Sequence, residues 1–135
     1  MDIINIGRWI FYVNGKPKFD SNKIGKWMYF FNNKDFISAI CKKAVEEHIV
    51  EEAKHSNDEA GVACFYLNCD DIESHKRVLS YFLENDLIRR TKKGRLYNIS
   101  FKLDKQTLSG QYGEDFHSDI KLSNFINLDT EEWLV

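Results

Sequence analysis

The sequence lacks the features that would divide it into several parts. It has a single proline, Pro17, and no repeat, linker or low-complexity tract interrupts its 135 residues. Apolar residues make up 43% of the chain and charged residues 30%, so its composition is that of an ordinary globular protein. A chain of this length buries roughly two-thirds of its unfolded surface, which is enough for a hydrophobic core. We therefore expect one domain that spans residues 1–135.

The net charge is also small, and the apolar runs are short. The formal charge of −2 gives the molecule as a whole no electrostatic attraction to DNA or to an anionic membrane. The apolar stretch GKWMYFF, Gly25–Phe31, is far shorter than the roughly 20 residues that a membrane-crossing helix needs. We therefore expect no DNA partner and no membrane partner, and any site for an anion must be local.

Cysteines are few, and the motifs of common enzymes are missing. The three cysteines form no C-x-x-C pair, and the N-terminal MDIINIGRWIF has no secretion signal, so a reducing cytoplasm is the expected location. Neither these scattered thiols nor His48, Glu52 and His55 have the spacing of a metal site. No nucleophile elbow, dinucleotide fingerprint or phosphate loop occurs. The sequence thus predicts no catalytic residue, no metal ligand and no cofactor, and an enzyme stays a third option without a named reaction.

Apolar patterning predicts alternating strands and helices. Runs rich in aromatic and β-branched residues predict extended segments at Arg8–Val13, Lys26–Phe31, Ala53–Ser56, Gly61–Asn68 and Leu96–Leu103. Helical spacing predicts an amphipathic helix after Asn33, with an apolar stripe of Phe36, Ile37, Ile40, Ala44 and Val45. A second helix is predicted from Asp70 to about Asn85, with an apolar face of Ile72, Val78, Leu79, Phe82 and Leu83.

This order of elements predicts an α+β domain. Two main helices would pack on one face of a curved, mainly antiparallel sheet, and the other face would be left for a ligand, a loop or a partner. The loop from Asn14 to Gly25 is long for a hairpin, and long loops in compact domains often carry function. Residues 114–135 form a tail to which the pattern assigns little structure.

Four short motifs resemble, in order and spacing, a family of unknown function named after a basophilic-leukaemia-expressed protein. The resemblance covers about residues 8–113, and the motifs are GKWMYFF at Gly25–Phe31, EAKHSN at Glu52–Asn57, GVACFYLNCDD at Gly61–Asp71 and SGQYG at Ser109–Gly113. That family is similar in fold to the messenger-RNA cap-binding translation initiation factor 4E. The resemblance therefore implies a 4E-like sheet whose concave face binds a nucleotide or the 5′ end of an RNA.

The resemblance also implies roles for particular residues. Trp9 matches a structural tryptophan on the first strand of the initiation factor, and Phe19 is the aromatic residue that the following loop offers for stacking on a base. Lys54 is the nearest match to a phosphate-binding cation, with His55 and Ser56 beside it. The chain has no room for the segment that carries the second stacking tryptophan, which leaves a smaller phosphate-containing ligand as the implied one.

Two further features have competing interpretations. Trp27 is either a core residue or a stacking platform for a ligand. The segment RRTKKGR contains five cations, which are either a solvated turn or a clamp for phosphate or for an acidic partner, through Arg89, Arg90, Lys92 and Arg95.

Two hypotheses of function follow from these residues. The first is a non-catalytic protein that holds a nucleotide-like or phosphate-bearing ligand on the concave face of the sheet, through Phe19, Trp27, Lys54, Ser56 and the cations of residues 89–95. The alternative is a protein-interaction module, an inhibitor or adaptor, that acts through surface aromatic residues, the basic turn and the C-terminal tail Asn127–Val135. That tail either docks on a partner or packs on its own domain.

Overall fold

The computed structural model describes residues 1–105 and 120–135 and has an α+β fold. The strands are β1 (Asp2–Ile6), β2 (Trp9–Val13), β3 (Ile24–Phe31), β4 (Glu52–Ser56), β5 (Gly61–Asn68) and β6 (Lys102–Leu103). The helices are α1 (Lys34–Glu46) and α2 (Ile72–Glu84), and a short 3₁₀ turn covers Leu122–Asn124. The SGQYG motif and the start of the predicted tail, at residues 114–119, lie outside the described residues.

All six strands form one antiparallel sheet. Their order across the sheet is β1-β2-β4-β5-β3-β6, and every neighbouring pair is antiparallel. The longest pairing joins β3 to β5 in a register that runs from Ile24 opposite Asn68 to Phe31 opposite Gly61. The predicted antiparallel sheet with two main helices is confirmed.

Both helices begin where a polar side chain can bond to their first turn. The side chain of Asn33 accepts a hydrogen bond from the backbone N–H of Phe36, and the side chain of Asp71 accepts one from that of Ser74. These contacts satisfy backbone donors that have no partner within the helix. Asp71 therefore caps the N-terminus of α2.

The helices share one face of the sheet. The Phe82 ring of α2 packs on Phe65 of β5 with 5.1 Å between ring centroids, and the side chain of Ser38 in α1 lies 3.3 Å from the ring of His55 in β4. The hydroxyl of Tyr81 donates a hydrogen bond to the carbonyl oxygen of Ile40, which ties the two helices together. The hydrophobic core lies between this pair of helices and the sheet.

Several details differ from the sequence prediction. β1 was not predicted, and only Lys102–Leu103 of the predicted strand Leu96–Leu103 is a strand, because Leu96 forms an isolated bridge with Arg90 instead. Phe36 and Ile72, assigned to the apolar stripes, are 40% and 45% exposed. Both residues lie in the first turn of their helix and at the margin of its buried face.

The C-terminal segment packs on its own domain. Phe125, Ile126 and Leu128 are buried, and the Phe125 ring lies 6.1 Å from that of Trp27. The N–H of Leu96 donates to the carbonyl oxygen of Leu128, which fixes the segment beside the basic turn. Of the two predictions for the tail, packing on the domain is the one that holds for these residues.

Candidate functional site

The face of the sheet away from the helices carries a row of four side chains across four strands. Trp9 of β2 pairs with Ser56 of β4, and Val62 of β5 pairs with Phe30 of β3. The N–H of Val62 donates to the hydroxyl of Ser56 at 3.1 Å, which joins the two halves of the row. Because residues opposite each other in a sheet point to the same face, all four side chains emerge together.

This row forms a groove with aromatic walls and a floor of small side chains. Phe30 is 60% exposed and Trp9 is half-buried, whereas Ser56 and Val62 lie low between them. Three strand spacings separate the backbones of the two aromatic residues, about 14 Å in all. We call this surface the aromatic groove; its lining is Arg8, Trp9, Phe30, Ser56, Asp58, Ala60, Gly61 and Val62.

Positive charge lies at both walls of the aromatic groove. The ammonium of Lys54 sits over the Trp9 indole, 3.9 Å from the ring centroid. At the other wall, the guanidinium of Arg89 donates to the backbone carbonyl of Phe30 at 3.5 Å. Arg8 and Asp58 in the lining carry opposite charges, and Lys54 and Arg89 are the cations beside the two aromatic walls.

Farther along the same face, the sheet is closed. Cys64 and Tyr66 of β5 are buried, and Lys26 forms a 2.7 Å ion pair with Asp104 at the edge. Burial raises the pKa of the Tyr66 hydroxyl and also that of the Glu52 carboxyl, although the neighbouring Lys54 partly lowers the latter. The accessible part of this face is therefore the end that holds the aromatic groove.

The structure brings three of the predicted site residues together. Lys54, Ser56 and Arg89 all lie at or beside the aromatic groove. Trp27 does not, since its side chain points to the helices, is 0% exposed and donates from Nε1 to Nδ1 of His75 at 3.0 Å. Trp27 is therefore a core residue and not a stacking platform, because no face of its ring is open to a ligand.

Phe19 also lies away from the aromatic groove. It lines a partly open pocket of about 220 Å³ at the opposite end of β2 and β3, together with Lys18, Arg77 and Glu51. Arg77 is engaged there, because it donates to the hydroxyl of Ser74, which in turn donates to Asp71. Phe19 and the groove residues therefore cannot contact one small ligand.

The basic turn is largely paired with the C-terminal segment. Arg90 makes a two-pronged ion pair with Glu131, with distances of 2.9 and 2.8 Å, and Arg95 lies 2.9 Å from Asp129. Lys92 is exposed and lines a shallow pocket beside Asp129. The two surfaces that the protein-interaction hypothesis uses are thus paired with each other, and the predicted phosphate clamp is divided: Arg89 faces the groove, whereas Arg90 and Arg95 face the tail.

Sequence reasoning missed Phe30 and Arg8 and assigned Trp9 to a structural role. Arg8 occupies the turn between β1 and β2, where its carbonyl oxygen accepts a hydrogen bond from the N–H of Asn57. Phe30 could have been found from its position three residues after Trp27 on the same strand. Two residues three positions apart on one strand must point to opposite faces, so a buried Trp27 places Phe30 on the other face.

His55 is a buried histidine with two hydroxyl groups beside its ring. His55 lies within 3.1 Å of the Tyr12 hydroxyl and 3.3 Å of the Ser38 hydroxyl, and burial lowers its pKa. Ser38 and His55 could be taken for a nucleophile and its base, but His55 is 0% exposed, so a substrate cannot reach it. The pair instead anchors α1 to the sheet.

Within residues 1–105 and 120–135, no three His, Cys, Asp or Glu side chains cluster as a metal site would require. The described helices are also too short and too polar for any of them to cross a bilayer. Comparisons of the chain with models of protein families, with curated proteins and with solved structures gave no match.

Proposed function

We propose that this protein is a non-catalytic binding protein that holds a nucleotide-like, phosphate-bearing ligand in the aromatic groove. The observation that carries this proposal is the row Trp9, Ser56, Val62 and Phe30, in which a half-buried and an exposed aromatic ring lie on either side of a low floor. The proposal includes a fold like that of initiation factor 4E, in which the ligand lies on the sheet face away from the helices.

The groove has the two components that a nucleotide needs. A flat base gains about 1 to 3 kcal/mol from stacking on an aromatic side chain, and this gain depends little on the identity of the base. The ammonium of Lys54, 3.9 Å from the Trp9 centroid, and the guanidinium of Arg89 at the Phe30 wall are placed for the phosphates. Neither component requires Trp27 or Phe19.

Tryptophan fluorescence provides the first test. We expect nucleoside triphosphates, capped and uncapped, to change the emission saturably at low salt, because Trp9 is partly exposed at the groove. A ligand held by a few cations should lose affinity as salt rises. If no member of such a panel gives a saturable change, the proposal is wrong.

Variants then locate the site. Trp9→Ala and Phe30→Ala should each weaken binding of a fluorescent guanosine triphosphate analogue, measured by anisotropy, about 5-fold or more. Trp133→Ala is the matched control, since Trp133 is exposed but lies on the C-terminal segment, beside Lys76 of α2. Binding that survives both groove variants, or that falls equally in the control, would place the ligand elsewhere.

A further inference from the structure

The outermost strand, β1, presents an unshielded edge. It pairs with β2 on one side and ends the sheet on the other. All five of its residues are exposed, and among them Ile3 is 50%, Ile4 41% and Ile6 59% exposed. In the parts of the chain that the structure describes, no strand pairs with its outer edge.

Proteins ordinarily protect such an edge. The usual devices are lysine or proline on the strand, a bulge, a very short strand, or a covering loop. β1 has none of the first three, since its pairing with β2 is regular and its only charge is Asp2 at its start. The opposite edge strand, β6, is only two residues long, and just before it Ser100 forms an isolated bridge with Lys121 of the C-terminal segment.

The register of the hairpin shows which backbone groups point outward. The turn between β1 and β2 is Gly7–Arg8, with a positive φ of 58° at Gly7, and Ile6 opposite Trp9 closes it. In a two-residue hairpin the closing pair exchanges hydrogen bonds, and such pairs then alternate along the strands. The N–H and C=O groups of Ile3 and Asn5 therefore point away from β2.

We propose that a second copy of this chain pairs with β1 in antiparallel fashion, about a twofold axis that passes beside Ile4. In this register Ile3 of each copy exchanges hydrogen bonds with Asn5 of the other, so every outward group of both residues is satisfied. The two Ile4 side chains meet at the axis. The result is one continuous sheet formed by both copies.

The chemistry of the strand fits its own copy. A twofold axis perpendicular to a sheet pairs only residues that lie on the same face, and Ile3 and Asn5 meet this condition. On the face that carries Ile4, the two Ile4 side chains meet at the axis, and on the opposite face Ile3 of each copy lies beside Asn5 of the other. The two Asp2 carboxylates lie about 14 Å apart in this register, four strand steps of about 3.4 Å, and each faces the turn that carries Arg8 of the other copy.

The mass of the full chain in solution tests the association. A single strand pair buries little area, so we expect a weak dimer whose average mass rises from 15.9 kDa towards twice that value as concentration increases from about 5 to about 500 µM in sedimentation equilibrium. Ile4→Lys places two ammonium groups on the axis and should keep the chain monomeric. Ile72→Lys, at a residue of similar exposure on α2, is the matched control and should dimerise like the unchanged chain.

Cysteine cross-linking tests the register and does not depend on the lysine variant folding. Ile4→Cys should form a disulfide-linked dimer under mild oxidation, because the two side chains meet at the axis. Ile6→Cys should not, since in this register residue 6 lies opposite Asp2 and far from its own equivalent. A chain that stays monomeric at the highest concentration, a lysine variant that dimerises normally, or cross-linking that is no faster at position 4 than at position 6 would overturn the proposal.

Discussion

Replacing the buried His75 by glutamine should reduce the pH dependence of folding stability. Trp27 donates to Nδ1 of His75, so the single ring proton of the neutral form is on Nε2, which donates to the carbonyl oxygen of Cys69 at 2.8 Å. A second proton would place an N–H at Nδ1 against the indole N–H of Trp27, and this hydrogen bond would be lost. Burial lowers the pKa of His75 below its ordinary value of 6.5, in agreement with this geometry.

The sign of the effect follows from the direction of that shift. Because the folded pKa is the lower one, the unfolded chain binds more protons below about pH 6.5, and stability falls as the pH drops through this range. One such histidine costs at most about 1.4 kcal/mol per pH unit, which amounts to about 1 kcal/mol between pH 7 and 5.5. His55, whose pKa burial also lowers, contributes in the same direction and stays in the variant.

Urea denaturation followed by circular dichroism at about pH 7 and about pH 5.5 measures the difference. Glutamine can accept from Trp27 and donate to the Cys69 carbonyl, so His75→Gln keeps both polar contacts although it loses packing. We expect its stability to fall by about 1 kcal/mol less than that of the unchanged chain over this range. An undiminished loss in His75→Gln would refute the reasoning.

Two further substitutions test the packing. Gly25→Ala should lower the free energy of unfolding by about 2 kcal/mol, because its Cβ would lie 2.6 Å from the carbonyl oxygen of Lys102. Gly15→Ala meets nothing within 4 Å and should cost only about 1 kcal/mol, through its positive φ; equal losses in urea denaturation would contradict this. Ending the chain before Asn127 should lower the melting temperature by several degrees, since buried Leu128 is removed, and an unchanged thermal melt would show that the tail adds no stability.

Much of the secondary structure could be predicted because its signals are local. The strand GVACFYLN is observed with the predicted bounds, Gly61–Asn68, and both helices start within two residues of their predicted starts. β1 escaped prediction because DIINI is short, has no aromatic residue and buries none of its side chains. Its strand conformation depends on pairing with β2, which is a tertiary contact.

The segment after α2 has the sequence pattern of a strand, but most of it is not one. Leu96–Leu103 alternates like a strand, yet its backbone partners are scattered. The N–H of Leu96 donates to Leu128, that of Tyr97 to Arg89, and that of Phe101 to Ile120. A period-2 pattern records which side chains are buried, but it does not record whether one neighbouring strand supplies all the hydrogen bonds.

The location of the candidate site depends on which residues of β3 face the helices and which face the other side of the sheet, and composition cannot reveal this. The run KWMYFF is apolar at both odd and even positions, so no alternation shows whether Trp27 or Phe30 meets the helices. The neighbouring strand GVACFYLN is ambiguous in the same way. The choice is made by contacts distant in sequence: Trp27 lies opposite Phe65, which packs under Phe82, and its indole reaches His75 on α2. Because Trp27 faces the helices, Phe30 must lie on the other face of the sheet. The register of four strands then places Phe30 in the same row as Trp9.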